Sequence, residues 1–513
     1  MNNSLGQNLK YDLKSSLVVF LVALPLCLGI AVASGAPPMS GLIAGIIGGV
    51  VVGIFSGSHV SVSGPAAGLT VIVLDSIQTF GTFPLFLAAV ILAGIIQIVL
   101  GLLKAGVLGY YFPHSVIKGM LSAIGLILIL KQIPHALGYD KDLMGDLAFR
   151  QVDNHNTFSE IWYAIQYLSP GAIPIVLTSL LILVLFEKSF IKQNKILSSI
   201  PGALLAVGSG ILINGMYQFF KPEWTLEEEH LVSIPVLGGM DEMLSLLTFP
   251  DFGLIGTGEF WIIGATIAII GSIESLLSLE AGDKMDPYKR ISPPNKELVA
   301  QGIGNFISGF IGGLPVTAVI VRTSANISSG ARSKLSTIFH GILLALLVLL
   351  IPEILNLIPL SCLSAVLFLV GFKLAKPSIF VQEWKKGLDQ FLPFVVTVLA
   401  ILFTDLLFGI GIGMMVGFYF VIKTNYQSAF TVTEFNGNYL VKLQKDVSFL
   451  NKGPLKNQLS QIPDNSFVII NTIKAKFIDQ DIKDVLQDFI SSSIDRNIQI
   501  NVEGFEYSQT QNA

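Results

Sequence analysis

Two short segments about 250 residues apart read as the same interrupted membrane element. Ser61-Val62-Ser63-Gly64-Pro65-Ala66-Ala67-Gly68-Leu69-Thr70 and Gly312-Gly313-Leu314-Pro315-Val316-Thr317-Ala318 each place Gly and Pro ahead of an apolar run too short to cross a bilayer. Irregular backbone survives at membrane depth only where it is buried in protein or lines a cavity. Paired interruptions in corresponding parts of a chain therefore point to a central binding site. The rest of the chain supplies the membrane setting: 52% of its residues are hydrophobic, 13% are charged and the mean hydropathy is +0.70. This is the composition of a polytopic membrane protein, in contact with the lipid bilayer along most of its length.

Candidate spans fall near 17–34, 41–56, 62–75, 84–103, 116–130, 172–186, 200–214, 260–279, 298–313, 315–328, 337–351, 358–372, 391–405 and 407–422, fourteen in all. The first follows Lys10 and Lys14 and lacks a small-residue cleavage site, so it reads as a retained span. Lys188, Lys192, Lys195, Lys284, Lys289, Arg290, Arg332, Lys334, Lys373, Lys376, Lys385 and Lys386 all fall in alternate loops, which places those loops and both termini in the cytoplasm. The longer outside loops, about 132–171 and 215–259, are acidic, and the run Glu227-Glu228-Glu229 reads as solvated surface. With a net charge of -4 and no basic tract, nucleic acid is not an expected partner. Cys27 and Cys362 lie in apolar runs, which excludes a disulfide framework and a Cys-based metal site. His59, His114, His135, His155, His230 and His340 are scattered singly, so no enzyme site rises from the spans and no cofactor is expected.

Two halves of seven spans insert with opposite orientation, because seven is odd. The predicted architecture is an all-α polytopic fold of 14 transmembrane segments in a 7+7 inverted repeat. The repeats cover about 14–215 and 258–425 of a transport domain at 1–430. The offset pairs Pro25 with Glu274 and Pro65 with Pro315. Spans 3 and 10 then begin near the midplane with facing helix N-termini, each carrying roughly half a positive charge, an arrangement that favours an anion. Gly45, Gly49 and Gly53 form a small-residue face for tight helix packing. Two ionisable residues lie deep in apolar sequence, Glu274 and Arg322. Each costs about 2.5 to 3.5 kcal/mol at a helix centre on insertion scales, so each needs an offsetting role. Arg322 is expected to add positive potential beside an anion, and Glu274 to bind a coupling ion, Na+ or H+. Asp75 and Asp405, at outer span ends, read as interfacial caps.

Leu24-Pro25-Leu26-Cys27-Leu28-Gly29-Ile30-Ala31, Ser63-Gly64-Pro65, Glu274-Ser275-Leu276-Leu277, and Arg322-Thr323-Ser324-Ala325-Asn326 followed by Ser329-Gly330-Ala331-Arg332 resemble the SulP family of sulfate permease-type anion transporters. The resemblance implies a core domain (spans 1–4 and 8–11) that moves like an elevator against a gate domain (spans 5–7 and 12–14). It implies a small inorganic anion held by Leu26 and Ile30 of span 1, Ala66, Ala67 and Thr70 at the start of span 3, and Val316, Thr317, Val321 and Arg322 at the start of span 10. Some relatives carry polar or aromatic side chains at Leu26, Ile30, Ala66 and Val321, so here backbone N–H groups must do more of the recognition. The wording of these segments looks most like a bacterial branch often associated with carbonic anhydrase, which makes bicarbonate rather than sulfate the expected anion and the cell (inner) membrane the expected location. A dicarboxylate transporter, an anion channel or exchanger, and a nucleobase permease of the same fold are the alternatives.

From about Phe435 the apolar runs shorten and charge rises. Strands are expected at 439–443, 467–470 and 498–502 and an amphipathic helix at 479–492, a small cytosolic α/β unit over 435–513. Its order resembles a STAS domain, which implies a homodimer or a cytosolic docking partner. Gln480 stands where phosphorylated relatives carry Ser or Thr, which speaks against a kinase switch at that position.

Overall fold

The computed structural model of the protein describes residues 5–65, 67–141, 149, 156–188, 191, 193, 200–234, 247–427, 429–444 and 446–504. Ala66, His155, Lys192 and Lys195 lie outside the described residues. The chain divides into two compact units, Met1–Met414 and Met415–Ala513.

The first unit is helical because helices are the way a lipid-embedded chain satisfies its own N–H and C=O groups. Its early helices are α1 (Leu5–Ala33) and α2 (Pro38–Phe55, with a π-helical turn at Gly48–Val52), then α3 (Thr70–Phe80), α4 (Phe83–Leu102) and α5 (His114–Leu137). They are followed by α6 (Thr157–Gln166), α7 (Ala172–Glu187), α8 (Gly202–Phe220), α9 (Gly258–Met285) and α10 (Pro294–Phe310). The series ends with α11 (Ile320–Ser328), α12 (Leu335–Leu350), α13 (Leu360–Leu374), α14 (Pro377–Lys385), α15 (Leu388–Phe403) and α16 (Leu406–Gln427). Each of the fourteen stretches read as spans contains one of these helices, while α6 and α14 are additional. Among the described residues, eight helices are long and apolar enough to cross a membrane by length and composition. The interrupted elements are half-length: α3 has 11 residues and α11 has 9. At 1.5 Å per residue these rise roughly 16 and 14 Å, about half of a bilayer core.

Helices in lipid associate through close packing rather than through a hydrophobic driving force, and glycine is what permits the closest approaches here. A Cβ on Gly94 would lie 2.5 Å from the Phe306 nitrogen, and one on Gly302 would lie 2.6 Å from the Gly94 carbonyl oxygen, so α4 and α10 meet backbone to backbone. The Gly45, Gly49 and Gly53 face of α2 packs on α12 and on Cys27: a Cβ on Gly49 would fall 2.6 Å from the Gly341 Cα. One apolar cluster joins Ile30, Leu69, Val73, Phe86, Val90, Phe260, Ile267, Leu314 and Val316, all from spans 1, 3, 4 and 8 and the entry to span 10.

The second unit carries a four-stranded sheet in the order β3 (Phe430–Phe435), β4 (Asn438–Leu443), β5 (Phe467–Asn471), β6 (Gln499–Glu503), following β1 and β2 of the first unit, which are described below. β3 and β4 are antiparallel, and β4, β5 and β6 are parallel. The β3–β4 turn is Asn436-Gly437, with φ of 51° and 77°. Both central residues of this two-residue hairpin need the left-handed region, which Asn and Gly tolerate. The sequence reading began the unit near Phe435 and so omitted β3, although Asn-Gly between two apolar runs is the signal for it. Helix α17 (Lys452–Ser460) is likewise additional, and α18 (Gln480–Ser492) falls on the expected helix, with the Asp479 side chain accepting the Asp481 N–H at its start. Val441, Val468, Ile470, Leu455, Ile482, Leu486 and Phe489 form the core between sheet and helices.

Candidate functional site

The two interrupted segments meet each other. β1 (Ser63–Pro65) pairs antiparallel with β2 (Val316–Ala318), Ser63 opposite Ala318, Gly64 opposite Thr317 and Pro65 opposite Val316. The ladder extends one step further through the Val319 N–H, which donates to the Val62 carbonyl at 2.9 Å. Such a short crossing of two strands inside a helical bundle leaves backbone groups that need partners, because an orphaned buried one costs about 1–3 kcal/mol.

Helix α10 supplies those partners. Glu297, Gln301 and Asn305 recur every four residues, which puts them on one face of the helix, and each is at most 1% exposed. Asn305 accepts the Val316 N–H and donates to the Val316 carbonyl at 2.9 Å and to Gln97 Oε1 at 2.7 Å. Gln301 donates to Ser63 Oγ at 2.7 Å and to Glu297 Oε1 at 2.8 Å. Ser275 Oγ accepts the Ala318 N–H at 3.2 Å, and Thr323 Oγ1 accepts the Val62 N–H at 3.0 Å. The sequence reading passed over this clamp. Its signal was present as three polar residues at helical spacing in a span that is otherwise apolar.

Beyond the crossing, α3 starts at Thr70 and α11 at Ile320, and both first turns open on a cavity of about 100 Å³. Two helix N-termini, that of α3 entered through a 3-10 turn at Ala67–Leu69, thus bring their partial positive charge to one space. Of the residues expected in the site, Ala67, Thr70, Val321 and Glu274 line it. Glu274 sits at the middle of α9, is 6% exposed, and its Oε2 lacks a hydrogen bond of good geometry. Its nearest polar neighbours are the Gly68 N–H and the Thr317 hydroxyl, and a Cβ on Gly68 would lie 3.0 Å from Oε2. Met120, Ile124 and Ile127 of α5 and Ile401 of α15 add apolar side chains to the lining.

Leu26, Ile30, Val316 and Thr317 are buried but do not line this cavity; Ile30 and Val316 pack in the cluster behind it. Arg322 does not line it either. Its side chain is wholly buried and turned toward α1 and α2, where Nη2 donates to Cys27 Sγ at 3.2 Å. Nε and Nη1 have no hydrogen-bond partner among the described residues, and neither has either ring nitrogen of the buried His340, which lies within its electrostatic reach. Asp405 caps α16 by accepting the Phe408 N–H at 2.9 Å, and it also lines the cavity. A second, larger cavity of about 450 Å³ lies among α1, α7, α8, α11 and α13, and Lys10, Lys14, Lys373, Ser328 and Ser329 contribute to its wall. There Lys373 Nζ pairs with Glu187 Oε1 at 2.5 Å. Among the described residues no group of three or more His, Cys, Asp or Glu is placed to hold a metal ion.

Comparison with known proteins identifies this architecture. The chain is 29% identical over 420 residues to YvdB of Bacillus subtilis, a protein named for sulfate transport, covering 81% of this chain and 74% of that one. It is 26% identical over 432 residues to the bicarbonate transporter BicA of a Picosynechococcus strain, covering 82% and 72% of the two chains. The fold matches that of the murine solute carrier 26 family member A9 anion transporter in its inward-facing state with a TM-score of 0.68, at 17% identity over 99% of this chain and 87% of that one. The sulfate permease family matches residues 9–398. The chain belongs to the sulfate permease family of membrane anion transporters, and it is a transporter rather than an enzyme.

Proposed function

We propose that the protein is a secondary active transporter of a small inorganic anion, bicarbonate or sulfate, which binds between the N-termini of α3 and α11. The observation that carries this reading is the antiparallel crossing of β1 and β2, which delivers two half-length helices to one cavity. Because the side chains there are Ala67, Thr70 and Val321, anion recognition falls to backbone N–H groups. Arg322 contributes through its field from behind β1, not as a ligand. Glu274 is the coupling group: it can cross the apolar wall of Met120, Ile124 and Ile127 only when a cation or proton neutralises it. Transport then proceeds by movement of spans 1–4 and 8–11 against spans 5–7 and 12–14, in a cell (inner) membrane of a bacterium with both termini cytoplasmic. The transport domain ends near residue 430, and the STAS-like unit serves homodimer formation or a cytosolic partner.

The test is uptake of labelled bicarbonate and labelled sulfate into proteoliposomes, each with an imposed Na+ gradient, an H+ gradient, or neither. Bicarbonate uptake that needs Na+ is the expected result. Silence for both anions would refute the reading. One observation favours a second candidate: a cavity holding Glu274 without a basic side chain also suits a neutral, hydrogen-bonding nucleobase. Uracil uptake without anion flux would establish that alternative.

A further inference from the structure

Among the described residues, the ionisable ones lining the Glu274 cavity are both acidic, Glu274 and Asp405, with no Lys, Arg or His. Glu274 is buried with an unpartnered Oε2, and its side chain lines a space also reached by the Thr70 hydroxyl. That hydroxyl donates to the Ala67 carbonyl at 2.9 Å, which leaves its oxygen lone pairs facing outward from the bond. Asp405 belongs to the α15–α16 connection, lines the same cavity as Glu274 and is solvent-exposed. Among the described residues its Oδ1 accepts the Phe408 N–H and its Oδ2 has no hydrogen-bond donor. Ile401, Leu406 and Leu407 beside it are apolar, and among the described residues Asp405 is the one other ionisable residue that lines the cavity with Glu274.

An anion gains nothing from a carboxylate at the entrance to its site, whereas a hard monovalent cation does. Carboxylate and hydroxyl oxygens are the ligands such ions select. We propose that Asp405 is the outer carboxylate of a cation path that ends on Glu274, and that it captures Na+ and sets the affinity with which external Na+ drives uptake. This rests on the coupling role of Glu274 given above. It adds a second function to a residue whose capping bond alone accounts for only one of its oxygens. A like charge lining the same cavity as an empty Glu274 also raises the cost of moving that carboxylate past it, so a bound cation is required on both counts.

Asn and Ser cap helices as well as Asp does, so Asp405→Asn and Asp405→Ser remove the charge and keep the cap. The experiment measures labelled bicarbonate uptake by the full chain in proteoliposomes as external NaCl is varied against choline chloride. Asp405→Asn and Asp405→Ser are each expected to raise the half-saturating Na+ concentration about fivefold, the effect of one partly screened charge at cavity distance. Anion KM does not rise, Asp405→Glu restores Na+ affinity, and the difference shrinks as choline chloride is raised. If both charge-removing variants keep the wild-type half-saturation while Glu274→Gln loses Na+ dependence, Asp405 is a helix cap only and the proposal fails alone. If Glu274→Gln also keeps full Na+ dependence, or wild type shows none, the coupling reading fails and takes this proposal with it. A thermal unfolding midpoint lowered in both Asp405 variants would likewise assign the residue to structure.

Discussion

Gly64 is the position where one methyl group has the most calculable effect on the site. A Cβ built there would stand 2.0 Å from Arg322 Nη1 and 2.7 Å from Cζ. Ordinary van der Waals contact begins near 3.4 Å, so Gly64→Ala requires the guanidinium to withdraw by about 1.4 Å. The backbone at Gly64 does not have positive φ, so alanine meets no conformational penalty and the effect is purely one of contact. Arg322 is wholly buried, and its withdrawal breaks the 3.2 Å bond to Cys27 Sγ. Overpacking of a filled interior costs about 1–3 kcal/mol, and a lost hydrogen bond to a buried charge about 1.5–3 kcal/mol. We therefore expect Gly64→Ala to destabilise the first unit by about 4 kcal/mol, read as unfolding of purified protein in mixed micelles, and to lower anion uptake because β1 is displaced. The control is the same change in an Arg322→Met background, where the clash has no partner. A coupling of at least about 2 kcal/mol between the two sites is expected from a double-mutant cycle. An equal cost of Gly64→Ala in both backgrounds would refute the steric argument.

Four further outcomes follow from the geometry. Glu274→Gln should abolish cation-dependent uptake with an unchanged unfolding midpoint, and retained dependence would remove Glu274 from coupling. Arg322→Met should weaken anion affinity roughly tenfold through loss of a nearby charge, yet leave stability equal or higher, since a buried charge without a carboxylate is replaced by an apolar side chain; unchanged affinity would return Arg322 to a packing role. Asn305→Ala orphans the Val316 N–H and C=O and should cost about 2–4 kcal/mol, and a loss in unfolding experiments below about 1 kcal/mol would show that the clamp is dispensable. On the loop side, His135 Nδ1 and His230 Nδ1 lie 2.5 and 2.7 Å from the two oxygens of Asp140. The Asp140 bond holds His230 above its usual range; burial alone would raise Asp140, but the two histidines outweigh it and depress its carboxyl. A raised histidine gives stability that is complete below its ordinary pKa of 6.5 and fades as pH rises through the folded value. His230→Ala should thus cost about 1 kcal/mol near pH 6 and progressively less at alkaline pH, and a pH-independent cost would contradict the pairing.

What could be read from the sequence divides along physical lines. Long apolar periodicity and the Gly-Pro breaks carry their own meaning, because lipid leaves the backbone few choices, and so helices stand at all fourteen stretches and the breaks at Pro65 and Pro315 stand at one crossing. Glu274 was legible for the same reason: a carboxylate amid Ile, Leu and Ser has to face a cavity or a partner. The Asn-Gly turn at 436–437 and the four-residue spacing of Glu297, Gln301 and Asn305 were present and were outweighed by the stronger hydropathy signal around them.

Arg322 is different in kind. Consecutive helical residues point about 100° apart; Ile320 and Val321 line the cavity, and Arg322, the next residue round the helix, faces Cys27 and Gly64. Which of the two faces inward depends on the rotation of α11 about its axis, and a hydropathy pattern fixes rotation only where one side of the helix meets lipid or water. Ile320, Val321, Ala325 and Ile327 share one side of α11 and Arg322, Thr323 and Asn326 the other, and all of them are buried, so neither side is marked out by lipid or water. Its rotation is set from outside the helix, by the strand pairing of Val316, Thr317 and Ala318 with β1 and by the bond from Val62 to Thr323. These are contacts across more than 250 residues of sequence. The Arg322 charge therefore lies behind the crossing, and among the described residues the cavity wall itself carries no cationic side chain.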